Sequence, residues 1–166
     1  MVDFSRITER LFCGARIESA ADAAELVGAG VTHIINARHT RCDASLIGNL
    51  SYLWNPTEDD DGHPKPVAWF GNAVEFALAA LARPGTVVLT HCAHGRNRGP
   101  SLAYAILRAQ GWPSLEAYAL LKEKRPQVIV GYRDDADAAL GALGWTPRAS
   151  RIRPKDLDRS IPAAAA

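Results

Sequence analysis

Apolar side chains in this sequence come in short runs separated by stretches of helical spacing. Residues 11–14, ending at Gly14, form a brief apolar run that predicts a strand. Residues 20–28 are alanine-rich around Glu25 and Leu26 and stop at Gly28 and Gly30, which predicts a helix. Residues 31–36 are β-branched and mostly apolar, the pattern of a buried strand, and residues 51–54 read as another. Between them, 38–50 is polar and ambiguous. Residues 55–66 hold three prolines, a glycine and four acidic residues, so an exposed irregular loop is expected. Val67, Phe70, Val74, Ala77, Leu78 and Leu81 then recur at helical spacing, with Pro66 well placed at the start. Pro84 and Gly85 break that helix, and 86–90 is the strongest strand of the chain. Helices are predicted over 99–110, over 114–124 with Ser114 as N-cap and Pro126 beyond its end, and over 134–143.

Strands and helices alternate, which predicts an α/β single domain. Its central, twisted, mostly parallel sheet of four to five strands is flanked by helices. The expected domain covers 1–146. Residues 147–166 change character, with five basic residues, three prolines and a terminal alanine run, and read as a flexible tail.

Composition narrows the function classes. The 166 residues carry 19 basic and 18 acidic side chains, a net charge of +1, with 48% hydrophobic residues. That balance argues against a nucleic-acid coat or a basic membrane-surface protein. No stretch approaches the ~20 apolar residues of a membrane helix. Three cysteines, Cys13, Cys42 and Cys92, are too few for a disulfide framework. A reduced, cytoplasmic monomer is expected, with one thiol free to do chemistry.

The chemistry concentrates in His91-Cys92-Ala93-His94-Gly95-Arg96-Asn97-Arg98-Gly99, which joins the strongest strand to a helix. Loops leaving the carboxyl ends of strands are where α/β sheets place ligands. A helix N-terminus there offers free N–H groups to an anion. Five residues between Cys92 and Arg98 suffice to wrap a loop around one tetrahedral dianion. The N–H groups of Ala93 through Arg98 can converge on its oxygens while Arg98 adds a planar clamp. Gly95 supplies a permissive backbone. The same positive surroundings favour the Cys92 thiolate, an in-line nucleophile beneath bound phosphate. A metal site at His91, Cys92 and His94 lacks its further ligands, so neither metal nor cofactor is expected.

His-Cys-x5-Arg resembles the signature of the cysteine-dependent protein tyrosine phosphatases. The compact length and the opening Ile7-Thr-Glu-Arg-Leu-Phe-Cys-Gly14 resemble the small dual-specificity branch, over about residues 5–143. The resemblance implies a phosphomonoesterase working through a cysteinyl phosphate. In it His91 holds the loop, Cys92 is the nucleophile and Arg98 binds phosphate. It also implies an aspartate general acid about thirty residues upstream. Asp59, Asp60 and Asp61 lie 33, 32 and 31 positions before Cys92, and the family spacing points to Asp60, with its two neighbours as competitors. The family usually has Ser or Thr where this chain has Gly99. The expectation is therefore a slow second step, with Ser101 as a potential helper. Arg125 reads as no more than a helix cap.

Phosphorylated protein is the first substrate class, with phosphoinositide or phospholipid second because of Arg96. RNA 5′-triphosphate is an equal alternative to the lipid, because His94 and Asn97 resemble the loop of the metal-independent triphosphatases. Two other classes stand beside these: a non-catalytic phosphate-binding module and a rhodanese-like sulfurtransferase. Fold alone decides neither.

Overall fold

A computed structural model describes residues 1–60 and 62–145, so Asp61 and the tail from 147 lie outside the described residues. Five strands, β1 (Phe4–Arg6), β2 (Leu11–Gly14), β3 (His33–Asn36), β4 (Ser51–Trp54) and β5 (Val88–His91), form one sheet in the order β1-β2-β5-β3-β4. Among the described residues only the β1–β2 pairing is antiparallel. The helices are α1 (Ala20–Gly28), α2 (Ala44–Ile47), α3 (Val67–Leu81), α4 (Arg98–Ala109), α5 (Ser114–Lys124) and α6 (Arg133–Ala142). The expected fold class is therefore the observed one.

Strand alternation divides the core into two layers. Leu11, Cys13, Ile35 and Val88 face α3, α4 and α6, whereas Phe12, Ile34 and Leu89 face Leu26 of α1 and Ile47 of α2. Helix α4 is the central strut, buried at every position from Arg98 to Arg108. Helix α1 starts from a capping box: the Ser19 hydroxyl accepts from Asp22 N at 3.1 Å while Asp22 Oδ2 accepts from Ser19 N at 3.0 Å. Ser114 opens α5 as expected, but Pro113 is its N-cap and no side chain caps it.

Two elements go beyond the sequence reading. Strand β1 has three residues, too short for a periodic pattern, and α2 is a single turn capped by Asp43 within the ambiguous stretch. The register aligns the carboxyl ends of the four parallel strands, with His91 paired to Gly14 on one side and Asn36 on the other. This shared edge carries the site.

Candidate active site

Segment 92–97 leaves β5 at that edge and enters α4. Its carbonyls are tied outward one after another. Ala93 O accepts from Arg16 N at 3.3 Å, His94 O from Arg125 at 3.3 Å and Gly95 O from Arg125 Nε at 2.7 Å. Arg96 O accepts from Ile129 N at 2.7 Å and Asn97 O from Ser101 N at 2.8 Å. No backbone N–H from Ala93 through Arg98 donates to a protein acceptor among the described residues. Carbonyls pulled one way leave the amide hydrogens pointing the other, into a concave cradle suited to an oxyanion. Gly95 makes the tight turn with φ 62°, and a Cβ there would sit 2.7 Å from Gly14 backbone atoms. Only glycine fits.

Cys92 is 2% exposed at the base of a cleft of about 280 Å³ that Asp59, His94, Arg96, Asn97 and Ile129 also line. Arg98 is 8% exposed, and its guanidinium is anchored by donation from Nη1 to Ala37 O at 3.3 Å and Thr57 O at 3.2 Å. Its Nε lies 3.4 Å from Asp59 Oδ2, within ion-pair range but not aligned as a hydrogen bond. This buried donor consequently has no hydrogen-bond partner among the described residues. Such a buried donor is what an incoming phosphate oxygen would satisfy. His91 is fully buried with Nε2 3.7 Å from Cys42 Sγ. Burial, with Arg38's charge nearby, pushes its pKa down to about 3, so the imidazole is neutral.

The acidic loop turns its two described aspartates in different directions. Asp59 turns into the cleft, where its Oδ1 accepts from Asn97 Nδ2 and from the Tyr132 hydroxyl, both at 2.9 Å. Asp60, the residue favoured by spacing, turns away. Its carboxylate pairs with Lys65 and lies 3.2 Å from His63 Nδ1. Lys65's hydrogen bond, with His63 adding, holds the Asp60 carboxyl below the usual carboxylate range. The reason is local: the Lys65 side chain is only 3% exposed and takes a counter-ion within reach. Ser101 is also kept from the cleft. It is fully buried, and its hydroxyl accepts from Tyr132 N at 3.3 Å. Gly99 packs under the strand end, where a Cβ would lie 3.1 Å from the His91 backbone.

The residue that sequence reasoning undervalued is Arg125. It is 1% exposed and makes a paired contact with both Asp3 carboxylate oxygens at 2.7 Å while holding two loop carbonyls. This hydrogen bonding holds the Asp3 carboxyl below its ordinary range. Arg125 opens a connector, residues 125–132, that also supplies Ile129 N to Arg96 O and Gly131 N to Asn97 Oδ1 at 2.7 Å. Within it Val130, 1% exposed, holds φ at 54°. A β-branched residue there stores on the order of 1–3 kcal/mol of strain, which the surrounding contacts sustain. The other two thiols are not poised to react: burial pushes Cys13 up to about 12 and raises Cys42.

The family profile described as "Dual specificity phosphatase, catalytic domain" matches residues 12–133, well over half the chain. The chain belongs to this family. Human dual specificity protein phosphatase 16 is 33% identical over 100 residues, covering 60% of this chain and 15% of that protein. The chain spans between 15% and 44% of the lengths of the first curated dual specificity phosphatases it matches. A solved mouse dual specificity phosphatase, described as putative, superimposes with a TM-score of 0.72 at 24% identity, covering 89% of this chain and 94% of that one. PTPMT1, solved in complex with PI(5)P, gives 0.69 at 19% identity, covering 84% and 98%. At these identities the two structures speak for the dual-specificity fold. No described helix is long and apolar enough to cross a membrane.

Proposed function

We propose that this chain hydrolyses phosphomonoesters through a cysteinyl-phosphate intermediate, with phosphorylated tyrosine, serine or threonine in proteins as its substrates. The observation that carries the reading is the cradle of N–H groups that donate to no described protein acceptor, with Cys92 in the same cleft and Arg98 Nε buried without a hydrogen bond. Bound there, the phosphoryl group presents its phosphorus to Cys92 Sγ. The S–P bond forms as the P–O bond to the leaving group breaks, and Arg98 and the loop amides take the charge on the equatorial oxygens. Asp59, which lines the cleft beside Arg98 while Asp60 is held by Lys65, gives its proton to the departing oxygen. As carboxylate it then takes a proton from water, whose oxygen attacks phosphorus. The S–P bond breaks, releasing inorganic phosphate and the thiolate. With Gly99 lacking a hydroxyl and Ser101 turned aside, neither position assists thiolate departure, so this second step is the slower one.

Turnover of p-nitrophenyl phosphate tests the reading. Cys92→Ser is expected to lower kcat by on the order of 10⁴-fold or more, and rapid acid quenching of the native protein should trap phosphate on Cys92. Full activity in Cys92→Ser would overturn the mechanism.

A second substrate reading has one observation in its favour. Arg96 is exposed between the cleft and a larger cavity of about 540 Å³ that Asp3, Arg16 and Glu18 help to line, and no ion pair or hydrogen bond of its side chain occurs among the described residues. A free guanidinium there suits a second anionic group, as on a phosphoinositide headgroup, and PTPMT1 carries PI(5)P in its solved complex. The triphosphatase reading loses support because Asn97 is engaged at both ends of its amide. Comparing kcat/KM on phosphopeptides and phosphoinositide vesicles, with Arg96→Ala in each arm, separates the two. Loss confined to the vesicle arm would favour the lipid.

A further inference from the structure

Three donors surround Asp59, and they are not equivalent. Its Oδ1 accepts from both Asn97 Nδ2 and the Tyr132 hydroxyl, whereas its Oδ2, among the described residues, faces Arg98 Nε without a hydrogen bond. We propose that Asn97 and Tyr132 are positioning residues that fix the acid by one oxygen, so that its proton is carried on Oδ2, the oxygen beside the phosphate-binding guanidinium. The proposal rests on the reading of Asp59 as general acid.

Asn97 can play this part because its own orientation is dictated. It is 8% exposed, and Gly131 N donates to its Oδ1 at 2.7 Å. That acceptor role fixes which end of the amide carries hydrogens, so Nδ2 must face Asp59. Gly131 permits the approach: a Cβ there would stand 2.8 Å from Asn97 Oδ1. Tyr132 is equally held. It is 4% exposed, its ring lies edge-on to Trp69 at 6.1 Å and beneath Lys65 Nζ at 4.6 Å, and its hydroxyl is 2.9 Å from Asp59 Oδ1 and 3.0 Å from Asp60 O. A carboxylate accepts more strongly than a peptide carbonyl, so the single hydroxyl hydrogen favours Asp59. An oxygen that already accepts two hydrogen bonds is the carbonyl-type oxygen of the protonated acid. The proton therefore sits on the other oxygen. When a phosphoryl oxygen satisfies Arg98 Nε, Oδ2 is the atom facing the leaving group.

Proton delivery to a leaving group matters in proportion to its basicity, and this gives a readout that a merely structural role would not move. The measurement is kcat/KM, which reports the first step and so the departure of the leaving group, on a series of aryl phosphates from 2,4-dinitrophenyl to phenyl, for the native chain and for Asp59→Asn, Asn97→Ala and Tyr132→Phe. Tyr132→Phe keeps the ring contacts and removes only the hydroxyl. Asn97→Ala and Tyr132→Phe are expected to lose about 10–100-fold on phenyl phosphate and under about 3-fold on the dinitrophenyl ester, a fraction of the Asp59→Asn loss. Combined with Asp59→Asn, each should add nothing further. Equal losses on every ester, or losses that multiply with Asp59→Asn, would overturn the positioning role while leaving Asp59 as acid. Undiminished phenyl phosphate turnover in Asp59→Asn would overturn the acid and this proposal with it.

Discussion

The loop 91–98 and the connector 125–132 meet at several points and contribute in opposite ways. The loop brings functional side chains: a thiol, a guanidinium and a buried imidazole. The connector brings geometry. Arg125, Ile129 N and Gly131 N take hold of Gly95 O, Arg96 O and Asn97 Oδ1, and Tyr132 reaches past them to Asp59. A phosphate cradle is made of amide hydrogens, but what aims them is whatever grips the carbonyls on the far side.

The sharpest test of that division compares two adjacent carboxylates. Asp59 is gripped from both regions and Asp60 faces Lys65. Asp59→Asn should cost about 10²-fold in kcat on phenyl phosphate, and Asp60→Asn less than about 3-fold. A reversed order would show that the acidic loop rearranges on binding. The next test acts on the connector alone. Arg125→Met leaves Gly95 O and His94 O unpaired and should lower the unfolding free energy by about 2 kcal/mol. It should also reduce kcat/KM by about tenfold through a looser cradle. Native kcat/KM in Arg125→Met would make the connector ordinary packing.

Acid separates the regions by stability. His91 is neutral when folded, with its pKa pushed down to about 3, so the unfolded chain binds the extra proton first. The stability this contributes is complete above about pH 6.5 and is lost as pH falls towards 3, at about 1.4 kcal/mol per unit. Asp3 is lowered by Arg125, so its contribution is present above about pH 3.9, the unfolded value, and is lost as pH falls through its lower folded value. Urea midpoints across this range should decline in two stages, and His91→Gln should flatten only the upper one.

This contrast also explains what the sequence made legible. The loop announces itself because its function resides in side-chain types at fixed spacing, and the sheet and large helices follow from apolar periodicity. The connector works largely through backbone N–H groups, which have no spelling, and Arg125 looks like any basic residue at a helix end. Spacing narrowed the acid to three adjacent aspartates but could not say which way each turns. The signal for which way Asp60 turns was Lys65, five positions after it, whose burial claims that carboxylate. Strand β1 escaped because three residues carry no period.

The Asp3–Arg125 clasp brings the first few residues of the chain to the underside of a loop nearly ninety positions away. Shortening the leading end past Asp3, or fusing a bulky partner against it, would reach catalysis without altering a single group that meets phosphate. Any comparison of preparations that differ at that end is therefore also a comparison of how firmly the oxyanion is held.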